Sequence, residues 1–174
     1  MEPIPAKAFS VTRDGQPDGW TPPRGYRAQV APDGMTRLVV NVPPDELRAT
    51  HLRLLAALGQ TLSVRYVRLT DRQTGQLPKP ENHVRMDAPA PLVTQAFDAA
   101  AELVWGDARH QLWVRGGLQE QVVLDELGVL YCYPDDPAFR DALVDVPQSD
   151  EVGIDGRDYV QVRFSSLIHM CVFV

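Results

Sequence analysis

Histidines are the side chains of this sequence best suited to acid–base chemistry. His83 and His110 flank a predicted helix, and Arg85 and Arg115 lie close to them along the chain. Histidine titrates near neutral pH, so two histidines brought together can transfer protons. If the strands that carry them are neighbours, these four residues form the site of a small enzyme or a ligand-binding domain. His51 lies on the apolar face of another predicted helix, so we expect it to be a core residue.

Nucleophilic, metal and phosphate chemistry have weaker candidates. Cys132 lies inside a predicted strand, whereas a catalytic thiol is usually exposed at the end of an element. His169 and Cys171 share a face if the C-terminal tail is a strand, but two ligands do not make a structural zinc site. The strand-to-helix junctions contain proline and no glycine, which is unsuited to a phosphate-binding loop. The sequence therefore predicts no metal and no cofactor.

The negative charge of the chain is concentrated in one segment. Ten acidic residues and two arginines between positions 125 and 158 give that segment a formal charge of −8, against −6 for the whole chain. The acidic residues are Asp125, Glu126, Asp135, Asp136, Asp141, Asp145, Asp150, Glu151, Asp155 and Asp158. Such a field attracts partners of the opposite charge without indicating a reaction.

Two kinds of role are predicted for these carboxylates. Asp135 and Asp136 precede a short helix, where a carboxylate caps free backbone N–H groups. Asp141 and Asp145 lie four residues apart in that helix, where two negative charges repel each other. A helix that tolerates this repulsion is expected to expose both carboxylates, which gives a negatively charged surface. Together with the polar loop that follows, they predict a partner-binding face. Its residues are Asp141, Asp145, Asp150, Glu151 and Asp155.

The elements that must position these residues are visible as periodic apolar patterns. The predicted strands cover residues 36–42, 62–69, 83–86, 111–115, 121–125, 129–133 and 159–164, and the predicted helices cover about 45–58, 91–105 and 135–144. The second helix has the most regular pattern. We therefore expect it to be the most buried, with Phe97, Ala100 and Leu103 facing the sheet.

This order of elements predicts an α+β fold with a largely antiparallel sheet and two main helices on one face, followed by a hairpin, a short helix and a final strand. The start also matches the β-α-β-β-α-β order of a ferredoxin-like unit, which would make the sheet mixed. Residues 1–35 are rich in proline and glycine and predict an extended N-terminal arm, and residues 36–174 predict a single domain.

The composition excludes some functions and leaves three open. An acidic chain without clustered lysine and arginine is not expected to bind nucleic acid, and the lack of a long apolar run predicts a cytoplasmic protein without a membrane segment. We expect a non-enzymatic interaction module that binds a basic protein partner, of the toxin-neutralising, immunity-like type. The alternatives are the histidine–arginine site near His83 and His110, and a self-associating subunit that forms a homodimer through the apolar tail at 167–174.

Overall fold

A seven-stranded sheet organises the fold. The computed structural model describes residues 7–10, 23–31, 33–70, 79–117, 119–150, 152 and 159–161. The strands are β1 (Ala8–Ser10), β2 (Gly25–Val30), β3 (Thr36–Asn41), β4 (Thr61–Arg68), β5 (Glu81–Pro89), β6 (His110–Arg115), β7 (Gln121–Leu124), β8 (Leu130–Tyr133) and β9 (Tyr159–Gln161). The helices are α1 (Pro44–Ala57), α2 (Ala90–Ala99) and α3 (Pro137–Ala142), and a π-helical turn, Glu102–Gly106, follows α2.

The strand order in the sheet is β2-β3-β8-β7-β6-β4-β5, and every pairing is antiparallel. β1 and β9 form a separate antiparallel pair. Apolar side chains at alternate positions, such as Leu112 and Val114 in β6, point to the face that packs against the helices. The predicted α+β class and largely antiparallel sheet are therefore confirmed.

The ferredoxin-like start is not confirmed. In such a unit the first and third strands are parallel neighbours, whereas here β3 lies between β2 and β8 and β5 lies at the far edge. The reason is the β7–β8 hairpin, which inserts between β3 and β6 and supplies the antiparallel neighbour of each. Within the predicted arm, β2 pairs along its whole length with β3. The division of the chain at residue 36 stays a prediction.

α1 supplies the larger helical part of the core. Pro44 occupies its first turn, where the missing N–H costs nothing, and Gly59 follows its end with φ +103°, a conformation that favours glycine. Leu47, Leu54 and Leu55 are buried against the sheet, on the face that the sequence predicts.

α2 is shorter and less buried than predicted. It buries Val93 and Phe97, whereas α1 buries five residues. Ala100 leaves the helical conformation with φ −115° and ψ 33°, so the chain continues through the π-helical turn instead. Leu103 is buried in that turn, while Ala100 is half-buried. The expectation that the second helix is the most buried is therefore wrong, although Phe97 faces the core as predicted.

Candidate functional site

The two carboxylates at the start of α3, Asp135 and Asp136, have structural roles. The Asp136 side chain accepts the backbone N–H of Ala138 at 2.8 Å, and Pro137 occupies the first turn. This confirms the predicted N-cap. Asp135 does not cap the helix, because Arg140 binds it through two nitrogens at 2.7 and 2.6 Å. Both carboxylates therefore have a role in the local fold.

Asp145 and Asp150 lie in the loop that follows α3. Asp141 lies in the last turn of α3, and the following loop runs beside the edge strand β2. Arg24 Nη1 donates to the Asp145 carbonyl at 2.8 Å, and Arg27 Nη1 donates to the Asp150 carbonyl at 3.3 Å. Glu151 and Asp155 lie outside the described residues. We refer to Asp141, Val144, Asp145 and Asp150 as the α3 surface.

Arginines from distant parts of the chain neutralise part of this charge. Arg53 Nη1 lies 2.8 Å from Asp145 Oδ2, and Arg24 Nη2 lies 4.0 Å from the same oxygen. The hydrogen bond from Arg53 lowers the pKa of Asp145 below its usual value. Asp141 and Asp150 form no side-chain ion pair within the part of the chain that the structure describes. The charge balance along the segment misses Arg24 and Arg53, because nothing in their spacing places them beside Asp145.

Val144 is the most exposed large apolar residue among those described. Its exposed fraction is 87%, and it lies in the turn between Asp141 and Asp145. Its neighbour Leu143 points the other way and is completely buried in the core. Val144 is thus an exposed apolar side chain that lies between Asp141 and Asp145 along the chain, and its exposure could not be inferred from the distribution of charge.

The predicted histidine–arginine site is only partly assembled. β5 and β6 are not neighbours, since both pair with β4, whose Tyr66 lies between them. The ring centroid of Tyr66 lies 6.0 Å from that of His83 and 5.1 Å from that of His110. His83 is 62% exposed at its side chain, whereas His110 is completely buried. The two histidines are thus close, but His110 is shielded from solvent.

The two arginines of this predicted site do not join the histidines. Arg115 pairs with Ser63 at the opposite end of β6 from His110. Arg85 is exposed on β5, opposite Val64. The four residues therefore do not surround a common space.

A buried lysine beside His110 is the feature that sequence reasoning missed. Lys7 is 2% exposed, and its Nζ lies 3.4 Å from His110 Nε2, which accepts the hydrogen bond since an ammonium group can only donate. The Lys7 side chain also lies against Gly128, between β7 and β8. Burial lowers the pKa of Lys7 to about 8, although the negative charges of Asp125 and Asp107 partly oppose this shift.

Asp125 is the main acidic neighbour of Lys7, and its role is to hold the β7–β8 turn. Its Oδ1 accepts the backbone N–H groups of Leu127 at 2.9 Å and of Val129 at 2.8 Å, and the Tyr131 hydroxyl donates to Oδ2 at 3.3 Å. Burial raises the pKa of Asp125 to about 6, against the effect of these backbone donors. The first residue of the acidic segment is therefore internal and does not contribute to a binding face.

His51 completes what we call the buried polar cluster: Lys7, His51, Asp107, His110 and Asp125. The His51 Nδ1 atom accepts the Trp105 indole N–H at 3.1 Å, so the neutral ring carries its proton on Nε2. Burial, together with the smaller effect of the positive charge of Lys7, lowers the pKa of His51 to about 3. The predicted core position of His51 is confirmed.

The side chains of the buried polar cluster are shielded from solvent. Lys7, His51 and His110 are all buried, so a substrate cannot contact their titrating atoms in this conformation. A cavity of about 320 Å³ lies elsewhere, at the end of α1, where Leu58, Gly59, Asp136 and Phe139 line it. It is not lined by any member of the cluster.

Metal binding and membrane spanning find no support among the described residues. No three histidine, cysteine, aspartate or glutamate side chains within them are grouped so as to hold a metal ion. None of the helices in the described ranges has the length and apolar character needed to cross a membrane. Comparison of the chain with family models, with curated proteins and with solved structures finds no match in any of the three.

Proposed function

We propose that the protein is a non-enzymatic interaction module that binds a basic protein partner through the α3 surface. The exposed Val144 between two carboxylates carries this proposal. Protein interfaces commonly combine an apolar centre, which becomes desolvated, with a polar rim that sets specificity. A partner with an apolar pocket surrounded by lysine or arginine would complement this arrangement.

The carboxylates of the α3 surface differ in what they offer a partner. Asp141 and Asp150 have no side-chain ion pair within the described ranges, and we propose that they contact the basic groups of the partner. Asp145 is fixed by Arg53 at 2.8 Å. Its proposed role is to keep the turn that holds Val144 rigid, which reduces the entropy lost on binding.

Toxin neutralisation is the biological form of this activity that we favour. A carboxylate surface can cover a site that a basic toxin or nuclease uses for phosphate groups, and charge complementarity accelerates association. The net charge of −6 supports a basic partner and not nucleic acid. The burial of His110 favours this class of function over an acid–base enzyme.

A reducing, cytoplasmic location belongs to the same proposal. Cys132 is a free and completely buried thiol, and burial raises its pKa, so it persists as an unreactive thiol. The second cysteine, Cys171, lies outside the described residues.

The test begins with isolation of the partner. The immobilised protein is exposed to a lysate of its source cells at low and at physiological salt, and the Val144→Asp variant serves as a parallel bait. We expect a basic protein that the wild type retains and the variant loses. Leu92→Asp is the matched control, because Leu92 is another exposed apolar residue, at the start of α2, and its replacement should leave capture unchanged.

The purified partner is then used in surface plasmon resonance. Asp141→Asn with Asp150→Asn should slow association about tenfold and flatten its salt dependence, because rim charges act mainly on the association rate. Asp33→Asn with Glu102→Gln removes the same two charges at other exposed positions. Equal association rates for these two double variants would contradict the charge-based part of the proposal. Full capture by Val144→Asp would contradict the use of this surface.

A further inference from the structure

We propose that β5 is a self-association edge, along which a second copy of this chain adds an antiparallel strand to the sheet. This surface is separate from the α3 surface and does not depend on the partner proposed above. β5 is the last strand in the order of the sheet and pairs only with β4 among the described strands. An edge strand presents a row of backbone N–H and C=O groups that can hydrogen-bond to another strand.

β5 is unusually long and exposed for an edge strand. It has nine residues, and the seven from Glu81 to Asp87 are all exposed. Val84 and Met86 are 59% and 62% exposed, so the strand offers apolar contact area as well as backbone groups. Val84 lies opposite Arg65, whose guanidinium stacks on the Trp113 ring at 5.6 Å. A strand added at β5 would continue this surface of the sheet.

Backbone features that interrupt strand pairing occur at the C-terminal end of β5. The register shifts between Leu62 and Val64, Asp87 has a left-handed φ of 52°, and Pro89 lacks an N–H group. A bulge and a proline interrupt pairing, so they block the last three residues of the strand. The five residues from Glu81 to Arg85 pair with β4 in a regular register and contain neither a bulge nor a proline.

The charges of β5 favour a second copy in one register. In an antiparallel pair centred on His83, Glu81 of each copy lies opposite Arg85 of the other, which gives two attractive pairs. A pair centred on Val84 would place Glu81 opposite Asp87 and His83 opposite Arg85. A pair centred on Arg85 would oppose two arginines and would need the irregular Asp87 end.

The side chains that this register uses are accessible. Glu81 is held at the edge by Arg68, whose Nη2 lies 2.9 Å from Glu81 Oε2, and it remains half-exposed. Arg85 has no ion pair in the described part of the chain. Each Glu81 can therefore accept a second arginine without losing its internal one, since a carboxylate has several acceptor positions.

A charge exchange between two variants tests the register. Sedimentation of the full chain over a broad range of concentration should show a monomer–dimer equilibrium for the wild type. Arg85→Glu and Glu81→Arg should each give monomers, because each homodimer would contain two like-charge pairs. An equimolar mixture of the two variants should restore dimers, since both pairs become attractive in the heterodimer. Val84→Lys should also dissociate the wild-type dimer.

Val30→Lys is the matched control. Val30 is 68% exposed on the other edge strand, β2, and its replacement should leave the dimer intact. A monomeric wild type at every concentration would overturn the proposal. A dimer that persists in Arg85→Glu and Val84→Lys would overturn it as well, because association would then use another surface. Failure of the mixed variants to associate would overturn the register centred on His83.

Discussion

Protonation of His51 should destabilise the fold at mildly acidic pH. The ring is completely buried, stacks on Phe97 with 6.0 Å between ring centroids, and accepts the Trp105 N–H on Nδ1. A second ring proton would bring a positive charge into this apolar site and would remove the acceptor that Trp105 uses. The folded state therefore resists protonation of His51 far more strongly than the unfolded chain does.

The sign and size of the effect follow from the two pKa values of His51. Its pKa is lowered from 6.5 to about 3, so the unfolded chain binds a proton in this window and the folded state does not. Stability is unaffected above pH 6.5 and falls as the pH drops towards about 3. At about pH 4.5, two pH units below the unfolded value, the loss is about 2.7 kcal/mol.

Protonation of Asp125 has the opposite effect on stability over part of this pH range, so the measurement must separate the contribution of His51 from that of Asp125. The pKa of Asp125 is raised from 3.8 to about 6, and the folded state therefore gains stability from this group as the pH falls between these values. Urea unfolding of wild type and His51→Gln at a series of pH values gives a difference curve from which Asp125 cancels. His83→Gln is the control, because the His83 side chain is largely exposed to solvent.

The difference in unfolding free energy between wild type and His51→Gln, plotted against pH, tests this prediction. We expect wild type to lose about 2.7 kcal/mol relative to His51→Gln between about pH 7 and about pH 4.5, while His83→Gln follows the wild type. A flat difference curve for His51→Gln would show that His51 exchanges protons equally in both states. The burial argument for the whole cluster would then fail.

Two further perturbations test the core and the buried lysine. Phe97→Ala should cost about 3–5 kcal/mol in urea unfolding, since it truncates a core aromatic, whereas Leu92→Ala on the exposed side of the same helix should cost less than about 0.5 kcal/mol. Equal costs would mean that α2 packs differently. Lys7→Met should lower the free energy of unfolding at pH 7 by about 1–3 kcal/mol, because the buried carboxylate of Asp125 loses a compensating charge. This loss of stability should become smaller at pH values below about 6, where Asp125 takes up a proton. A loss that does not change with pH would show that the effect of Lys7 does not depend on the charge of Asp125.

The positions of several elements could be predicted because they depend on local pattern, whereas β2, within the predicted arm, could not. The strand predicted at residues 111–115 occupies His110–Arg115, and the helix predicted at about 45–58 occupies Pro44–Ala57. The partners of each strand depend instead on contacts between distant residues. The insertion of the β7–β8 hairpin beside β3 therefore could not be inferred from the order of elements, and the ferredoxin-like start is not confirmed.

The candidate site was predictable to a smaller extent. The proline and the acidic residues before α3 indicated a helix start, and the Asp136 cap follows from that local chemistry. The neutralisation of Asp145 by Arg53 joins residues 92 positions apart, and the burial of Lys7 beside His110 joins residues 103 positions apart. Charge counted along the sequence treats such residues as independent, so it overstates how much of the acidic segment is free.

The two proposed surfaces lie at opposite edges of the sheet and are therefore independent of each other. At β2, Tyr26 donates its N–H to the Pro147 carbonyl at 2.9 Å and accepts the Ser149 N–H at 2.9 Å, so the loop that carries the α3 surface covers this edge. A Cβ atom on Gly25 would lie 2.9 Å from Ser149 Cβ, which shows how closely the loop approaches. β5 lies at the opposite edge, with five strands between it and β2. A partner held at one edge therefore leaves the other edge accessible, and variants at Val144 or Asp141 report on one surface while variants at Glu81 or Arg85 report on the other.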